Sequence, residues 1–452
     1  MPAPDSTSTL SATLPPARLL EEGRAFCMAP WAHLAINTEG EVLPCCEATG
    51  GFGKVRDQGV EAIWQGEAMQ AFRAGLRADL PDPRCVKCYA IEASGGLSYR
   101  RNLNRQFAAL ADRALEPALE PGAVPPPVSL DIRFSNLCNL ACRMCWHGSS
   151  SRWFADAQAL GLAKGPKALI AAFPDVEAGL AALRRLLPTI RHIYWAGGEP
   201  LMAEEHYRIL EELIALGRTD VELAYTTNAT TLRLGQRDAI GLWSHFGNIT
   251  VECSIDAAGA RGELIRQGLA WERFAATVAE IRDRCPQASI KFGITVSVLN
   301  VAVIDELHQA IEGLMGGRAF GLRIHPVQEP EHLDIRILPR RMKRAFGARL
   351  LALATAIDGK GAPAAGGVTA AEQLRSLVAY MHAADESWRL ADFRDATLAL
   401  DRVRGQDTAA ICPELAPLLH RSPWPSWRRG LRRVVRLLRR LARRQKTPAA
   451  TA

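Results

Sequence analysis

The stretch Cys138-Asn139-Leu140-Ala141-Cys142-Arg143-Met144-Cys145 places three cysteines within eight residues, separated by three and then two positions. Directly before it, Val128 to Ser135 alternates polar and apolar side chains, the pattern of a β-strand. The cysteines therefore fall on a loop at a strand's C-terminal end, where α/β folds place their chemistry. Three thiols this close either converge on one metal centre or are free core thiols. A structural zinc takes four ligands, commonly in two knuckles. Three cysteines can instead hold an iron–sulfur cube and leave one iron open to a substrate.

Working outward, Gly197-Gly198-Glu199-Pro200 closes the next strand-like run. From Val128 the chain reads strand, helix, strand, helix, with candidate strands at 128–134, 191–196, 221–226, 249–255, 290–298 and 320–326. Helical patterns such as Glu204 to Leu216 and Trp271 to Arg284 fill the gaps. Six such units imply an α/β fold with a parallel sheet. One strand face is repeatedly polar. Asp131 and Arg133 oppose Leu130 and Ile132, Glu252 opposes Val251 and Cys253, Lys291 opposes Phe292, and Arg323 and His325 oppose Leu322 and Ile324. Stranding these groups in a dry core would cost ~1–3 kcal/mol each. The expectation is a wet, ligand-filled cavity; the alternative is an ordinary half-exposed sheet.

On the cysteine loop and the Gly-Gly-Glu-Pro turn the sequence resembles the radical SAM superfamily. The resemblance implies an open, partial (β/α)6 TIM-type barrel. It implies a 4Fe–4S cluster on Cys138, Cys142 and Cys145, with S-adenosylmethionine (SAM) on the fourth iron. Reductive cleavage of SAM would give a 5′-deoxyadenosyl radical that abstracts hydrogen from a substrate. By the same resemblance Gly197, Gly198, Glu199 and Pro200 receive the methionine ammonium. The Ser254-Ile255-Asp256 strand end and Arg266 contact the ribose and the carboxylate. Asn228 stands in a Thr-Asn-Ala turn where relatives have Thr-Asn-Gly, and Ala257 also replaces a common glycine. Taken singly, Asn228, Asp256 and Arg266 read equally well as caps or surface ion pairs. Met144 occupies the position of a family aromatic, and Trp146 comes two residues later. No catalytic acid, base or hydrogen donor is identifiable.

Four more cysteines precede the core. Cys27 lies before a hairpin-like pair of runs, Trp31 to Asn37 and Glu41 to Pro44, that turn at Glu39-Gly40 and end on Cys45. Val60 to Arg77 reads as one helix, with Ile63, Met69, Phe72 and Leu76 near one face. Cys85-x-x-Cys88 follows. This pattern resembles the twitch/SPASM iron–sulfur domain, which implies a second, auxiliary 4Fe–4S cluster on Cys27, Cys45, Cys85 and Cys88. Four ligands would close that cluster and suit electron transfer or structure. Zinc on the same thiolates is the alternative, and Cys46 could stand in for Cys45.

The expected organisation is a disordered N-terminus (1–23), a small α+β iron–sulfur domain (24–115), a linker (116–127) with five prolines, the barrel (128–330), a helical region without evident chemistry (331–420) and a basic amphipathic tail (421–452). Eleven cysteines, eight of them clustered before residue 146, indicate metal sites in a reducing compartment rather than disulfides. The sequence shows neither a signal peptide nor a membrane-spanning run. The expected location is cytoplasmic. The net charge of +7 is deceptive, because the tail carries +11 and the rest sums to −4. An acidic body argues against a broad nucleic-acid surface. In the tail, Leu431, Val434, Val435, Leu438 and Leu441 fall at helical spacing among arginines, as in a helix lying on an anionic membrane. The resemblance points to a peptide or protein substrate, with a sugar or other small molecule as alternatives, and to a flavodoxin-type or other reductase as electron donor. The rival classes are a non-catalytic zinc or iron–sulfur scaffold and an RNA-modifying radical SAM enzyme.

Overall fold

The computed structural model describes residues 16–93, 96–112, 124–165, 167–359 and 368–420. One eight-stranded sheet organises them. Its strands are β1 (His33–Ile36), β2 (Val42–Leu43), β3 (Ser129–Ile132), β4 (His192–Trp195), β5 (Glu222–Thr227), β6 (Ile249–Ser254), β7 (Ala288–Val296) and β8 (Gly321–Pro326). Strands β3 to β8 run parallel and side by side in sequence order. This is the expected six-stranded half-barrel, each strand within a few residues of its sequence assignment.

The crossover segments include Val176–Arg184, Glu204–Ala215, Ala239–Trp243, Trp271–Arg284 and Ile304–Met315. Several have clear stops and starts. Asp175 and Asp238 accept a backbone N–H at their helix N-termini, and Gly316 ends another helix in the left-handed conformation at φ +55°. The helices cover the apolar strand face, where Trp195 of β4 meets His206 edge-on at 4.9 Å and Tyr225 of β5 meets Trp243 at 5.0 Å.

The sheet stays open, so its outer edge needs a partner. Gln373, from helix Ala370–His382, serves β8. Its Oε1 accepts from the Ile324 N–H at 2.7 Å and its Nε2 donates to the Leu322 carbonyl at 3.1 Å.

The opposite edge is extended by the N-terminal segment. β1 pairs in parallel with β3 from His33↔Ser129 to Ile36↔Ile132, and β2 pairs antiparallel with β1. The hairpin expected around Glu39-Gly40 is present, and Gly40 turns it at φ +78°. It is an extension of the barrel sheet rather than a body set apart from it. The helix expected over Val60 to Arg77 is two helices, Val60–Gln65 and Glu67–Arg77. Gly66 interrupts them, where a Cβ would lie 2.8 Å from the Ala62 carbonyl. Ile63, Met69, Phe72 and Leu76 are all buried. Beyond the barrel, Arg340–Ala356, Ala370–His382 and Leu390–Arg404 form the helical region. The basic tail and the first fifteen residues lie outside the described residues, as does most of the proline-rich linker.

Candidate active site

The polar strand face carries a network of paired charges and hydrogen bonds. Glu252 of β6 accepts Arg323 Nε at 2.8 Å and Nη2 at 2.6 Å, across the intervening strand β7. That reach depends on Gly293, where a Cβ would stand 2.7 Å from Glu252 Oε1. Thr226 Oγ1 donates to Glu252 at 3.3 Å and pairs with Tyr194 OH at 2.7 Å. Arg133 holds the buried Asp131 at 3.4 Å. Thr295 Oγ1 meets His325 Nε2 at 3.2 Å. Burial and the nearby Arg323 and Arg266 push His325 down to about 4, so its imidazole is neutral at pH 7. Cys46 faces this interior beside Asp131, Arg133 and Tyr99. Its neighbour Cys45 instead lies near Cys27, Cys85 and Cys88.

The three-cysteine loop closes the C-terminal mouth of β3. Ala141–Cys142 forms a short antiparallel pair with Arg266–Gln267, register Cys142↔Arg266. Arg266 Nε donates to Asp256 Oδ2 at 2.7 Å, and its Nη1 lies 3.9 Å from Cys142 Sγ. Asp256 Oδ1 accepts the Thr295 N–H at 2.9 Å. Asn228 Nδ2 donates to Asn139 Oδ1 at 2.8 Å and stands 3.8 Å from Cys138 Sγ. Ser254 ends β6 on the Glu252 face. Asn228, Asp256 and Arg266 thus meet around the cysteine loop.

The glycine turn has a reason the sequence did not reveal. A Cβ on Gly198 would lie 2.1 Å from the Leu137 carbonyl, and one on Gly197, at φ +83°, would lie 2.6 Å from Arg133 Cβ. The glycines let the turn press against the cysteine loop, and the Glu199 N–H donates to the same Leu137 carbonyl at 2.7 Å. Glu199 is buried. It accepts Thr227 Oγ1 at 2.6 Å and the N–H groups of Asn228 and Leu201 at 2.7 and 3.1 Å. Burial still pushes its carboxyl up to about 7 against those donors. Pro200 opens the short 3-10 turn that follows. Ala229 keeps the left-handed backbone of the glycine it replaces, at φ +51°. Trp146 is 55% exposed and lies over Gly148, outside the site.

Cys138, Cys142 and Cys145 lie close together: Cys142 raises the pKa of both Cys138 and Cys145, and Cys138 also raises that of Cys145. Burial is the larger cause and pushes Cys138 and Cys145 up to about 12. Arg266 opposes the rise at Cys142. Cys27, Cys45, Cys85 and Cys88 converge similarly, with burial pushing Cys27 up to about 12 and Cys85 to about 11. Buried thiols of this kind become thiolates when a metal centre displaces their protons. Among the described residues, no three His, Cys, Asp or Glu side chains converge as they would on a single ion. A four-iron cube binds each thiolate through a different iron and so spaces them wider than one ion does. Both donor sets are all-thiolate, which suits iron–sulfur ligation.

Several supporting residues lay beyond sequence reasoning. Trp153 Nε1 donates to the Cys142 carbonyl at 2.8 Å, and Ser150 Oγ to the Leu140 carbonyl at 2.6 Å. Arg143 forms a buried ion pair with Asp401, 258 residues away. No local pattern signals a partner at that separation.

An open parallel sheet whose strand β3 runs into three clustered, half-buried thiols suits an iron–sulfur cluster at the C-terminal end of the sheet. Residues 132–309 match the radical SAM superfamily, and residues 27–89 match SPASM, an iron–sulfur cluster-binding domain. The chain thus carries a radical SAM domain with a SPASM domain ahead of it. Comparison with curated proteins finds no match. Among solved structures, His-tagged anSMEcpe with bound AdoMet is 18% identical over 52% of this chain, with a TM-score of 0.39. Streptococcus suis SuiB bound to its precursor peptide SuiA is 12% identical over 65% of this chain, with a TM-score of 0.37. The alignments span 63% and 60% of those two chains.

Proposed function

We propose that this chain is an enzyme that cleaves SAM reductively and uses the resulting radical on a peptide or protein. When bound, a 4Fe–4S cluster would supply the electron that breaks the sulfonium C–S bond, giving methionine and the hydrogen-abstracting 5′-deoxyadenosyl radical. Cys138, Cys142 and Cys145 would hold that cluster, and Cys27, Cys45, Cys85 and Cys88 the auxiliary one. The Gly197–Pro200 turn, with Glu199 beneath it, receives the methionine ammonium. Arg266 binds the carboxylate, fixed in orientation by Asp256. Ser254 and Asn228 complete the SAM site. The observation that carries this reading is the convergence of Arg266, Asp256 and Asn228 on the cysteine loop, from strand ends far apart in sequence.

Asp131, Arg133, Glu252, Lys291, Arg323 and His325 line the substrate face. Its paired charges suit a polar chain such as a peptide better than an apolar ligand. A flavodoxin-type reductase supplies electrons, and residues 421–452 hold the enzyme at an anionic membrane surface. Among the described residues, no helix is long and apolar enough to cross a membrane.

The deciding experiment is anaerobic reconstitution, reduction with dithionite and assay of 5′-deoxyadenosine from SAM. Protein that carries labile sulfide but yields none of this product would sink the proposal. For the tail, equal binding to anionic vesicles by full-length protein and by a chain ending at 420 removes the membrane role.

A further inference from the structure

The helix Leu390–Arg404 lies outside both matched regions, in a part of the chain to which the sequence assigns no chemistry. It is nevertheless tied to the cysteine loop twice. Arg143, between the second and third cysteines, pairs with Asp401 and donates Nη2 to Gln406 Oε1 at 2.7 Å. Asp401 is itself held by Thr408, through the backbone N–H at 3.0 Å and Oγ1 at 2.8 Å. One turn on, Arg404 donates Nε and Nη2 to a single oxygen of Asp156, at 3.0 and 2.8 Å. Its guanidinium lies 5.3 Å from the centroid of Trp153, the ring whose Nε1 donates to the Cys142 carbonyl.

The first tie leaves no buried donor of Arg143 without a partner among the described residues. The second leaves something over. The Arg404 side chain is fully buried, and its Nη1 has no hydrogen-bond partner among the described residues. A buried guanidinium with an unmet donor is costly, because removal from water is uncompensated. Burial holds Arg404 below the usual arginine range even with Asp156 beside it, and Cys142 is among the groups that feel its charge. The unmet donor belongs to a side chain packed on Trp153, the ring that is hydrogen-bonded to the backbone of the cysteine loop at Cys142.

We propose that Arg404 is a positioning and tuning residue for the SAM-binding cluster: its free Nη1 donates to the sulfur edge beside Cys142 and raises that cluster's reduction potential. Hydrogen bonds to cluster sulfurs and nearby positive charge both favour the reduced, more negative state. Arg266 is also near Cys142, but its proposed task is the SAM carboxylate. The inference rests on the cluster assignment proposed above.

The test is an EPR-monitored redox titration of full-length, anaerobically reconstituted protein, with iron content measured alongside. The SAM-binding cluster is recognised by the change in its signal when SAM is added. Arg404→Gln should move its midpoint to more negative potential, and Arg404→Lys should move it less. Asp156→Asn, which removes the counter-charge and leaves the arginine, should move it to more positive potential. Opposite signs for the Arg404→Gln and Asp156→Asn shifts are something mere loosening of the loop would not produce. Unmoved midpoints, or shifts of one sign in both variants, would overturn the inference. So would loss of the cluster from all three variants with unchanged circular dichroism, which would leave Arg404 a purely structural role. Wild-type protein with no SAM-responsive signal would instead overturn the proposed function itself.

Discussion

The two cysteine sites are built on opposite principles. Cys138, Cys142 and Cys145 come from one loop, and chain connectivity alone keeps them close. Cys27, Cys45, Cys85 and Cys88 come from three separate segments, joined only when the hairpin β1–β2 folds and the short helix Val86–Ala93 packs against it. In the loop site the surroundings are supplied from afar: Arg266 from the segment after β6, Asn228 from the end of β5, Arg404 from the C-terminal helix. In the N-terminal site the supporting groups are nearer in sequence, with Arg100 close to Cys27 and its backbone N–H serving Cys88. A site with local ligands can borrow a distant environment, and a site with scattered ligands depends on the fold for its existence.

The sharpest way to break this contrast is to remove one ligand from each site. Cys142→Ala should abolish 5′-deoxyadenosine formation and halve the iron content while the fold persists. Cys85→Ala should also halve the iron, but the SAM-responsive EPR signal should survive. If both variants lose the same signal, the two sites are not independent.

Next in size is Gly198→Ala. The added Cβ would overlap the Leu137 carbonyl, so the turn or the cysteine loop must move. Overpacking of this kind costs about 1–3 kcal/mol, readable as a lowered denaturation midpoint together with poor cluster loading. An unperturbed midpoint would mean the turn does not brace the loop.

Glu199 gives a smaller effect that depends on pH. Its folded-state pKa is raised by burial from 4.5 to about 7. The protonated carboxyl therefore favours the fold at pH below about 4.5, and that contribution is lost as pH rises through about 7. Stability of the cluster-free protein should fall across this window. In Glu199→Gln the slope should flatten at lower overall stability, because the Asn228 N–H loses its carboxylate acceptor. An unchanged slope in the variant would assign the titration to another group.

The smallest effect should come from Trp146→Ala. The ring is exposed, so stability should stay within about 0.5 kcal/mol and cluster loading should be unchanged. A loss of SAM binding would bring this aromatic back into the site.

Much of this site was legible in the sequence because it depends on short-range rules. Strand ends carry loops, alternation sets which face a side chain takes, and three cysteines in eight residues cannot be far apart. Alternation identified the polar face from Asp131 to His325, whereas Asn228, Asp256 and Arg266 were assigned to the site by family resemblance and read singly as caps or ion pairs. The reason for Gly198 was not legible, since it is a backbone contact with Leu137 on the loop that follows β3. Neither was the outward placement of Trp146, nor the inward turn of Cys46 away from Cys45.

Sequence by itself determined the six-unit parallel sheet, the loop cysteines and the residue types at the strand ends, because periodicity and spacing are local properties of a chain. Only the tertiary structure decided that the N-terminal hairpin adds its strand to β3, that Glu252 crosses Gly293 to reach Arg323, and that Asp401 and Arg404 close on the cysteine loop. Those outcomes depend on which surfaces bury one another. That is settled by packing among residues hundreds of positions apart, about which no single stretch carries information.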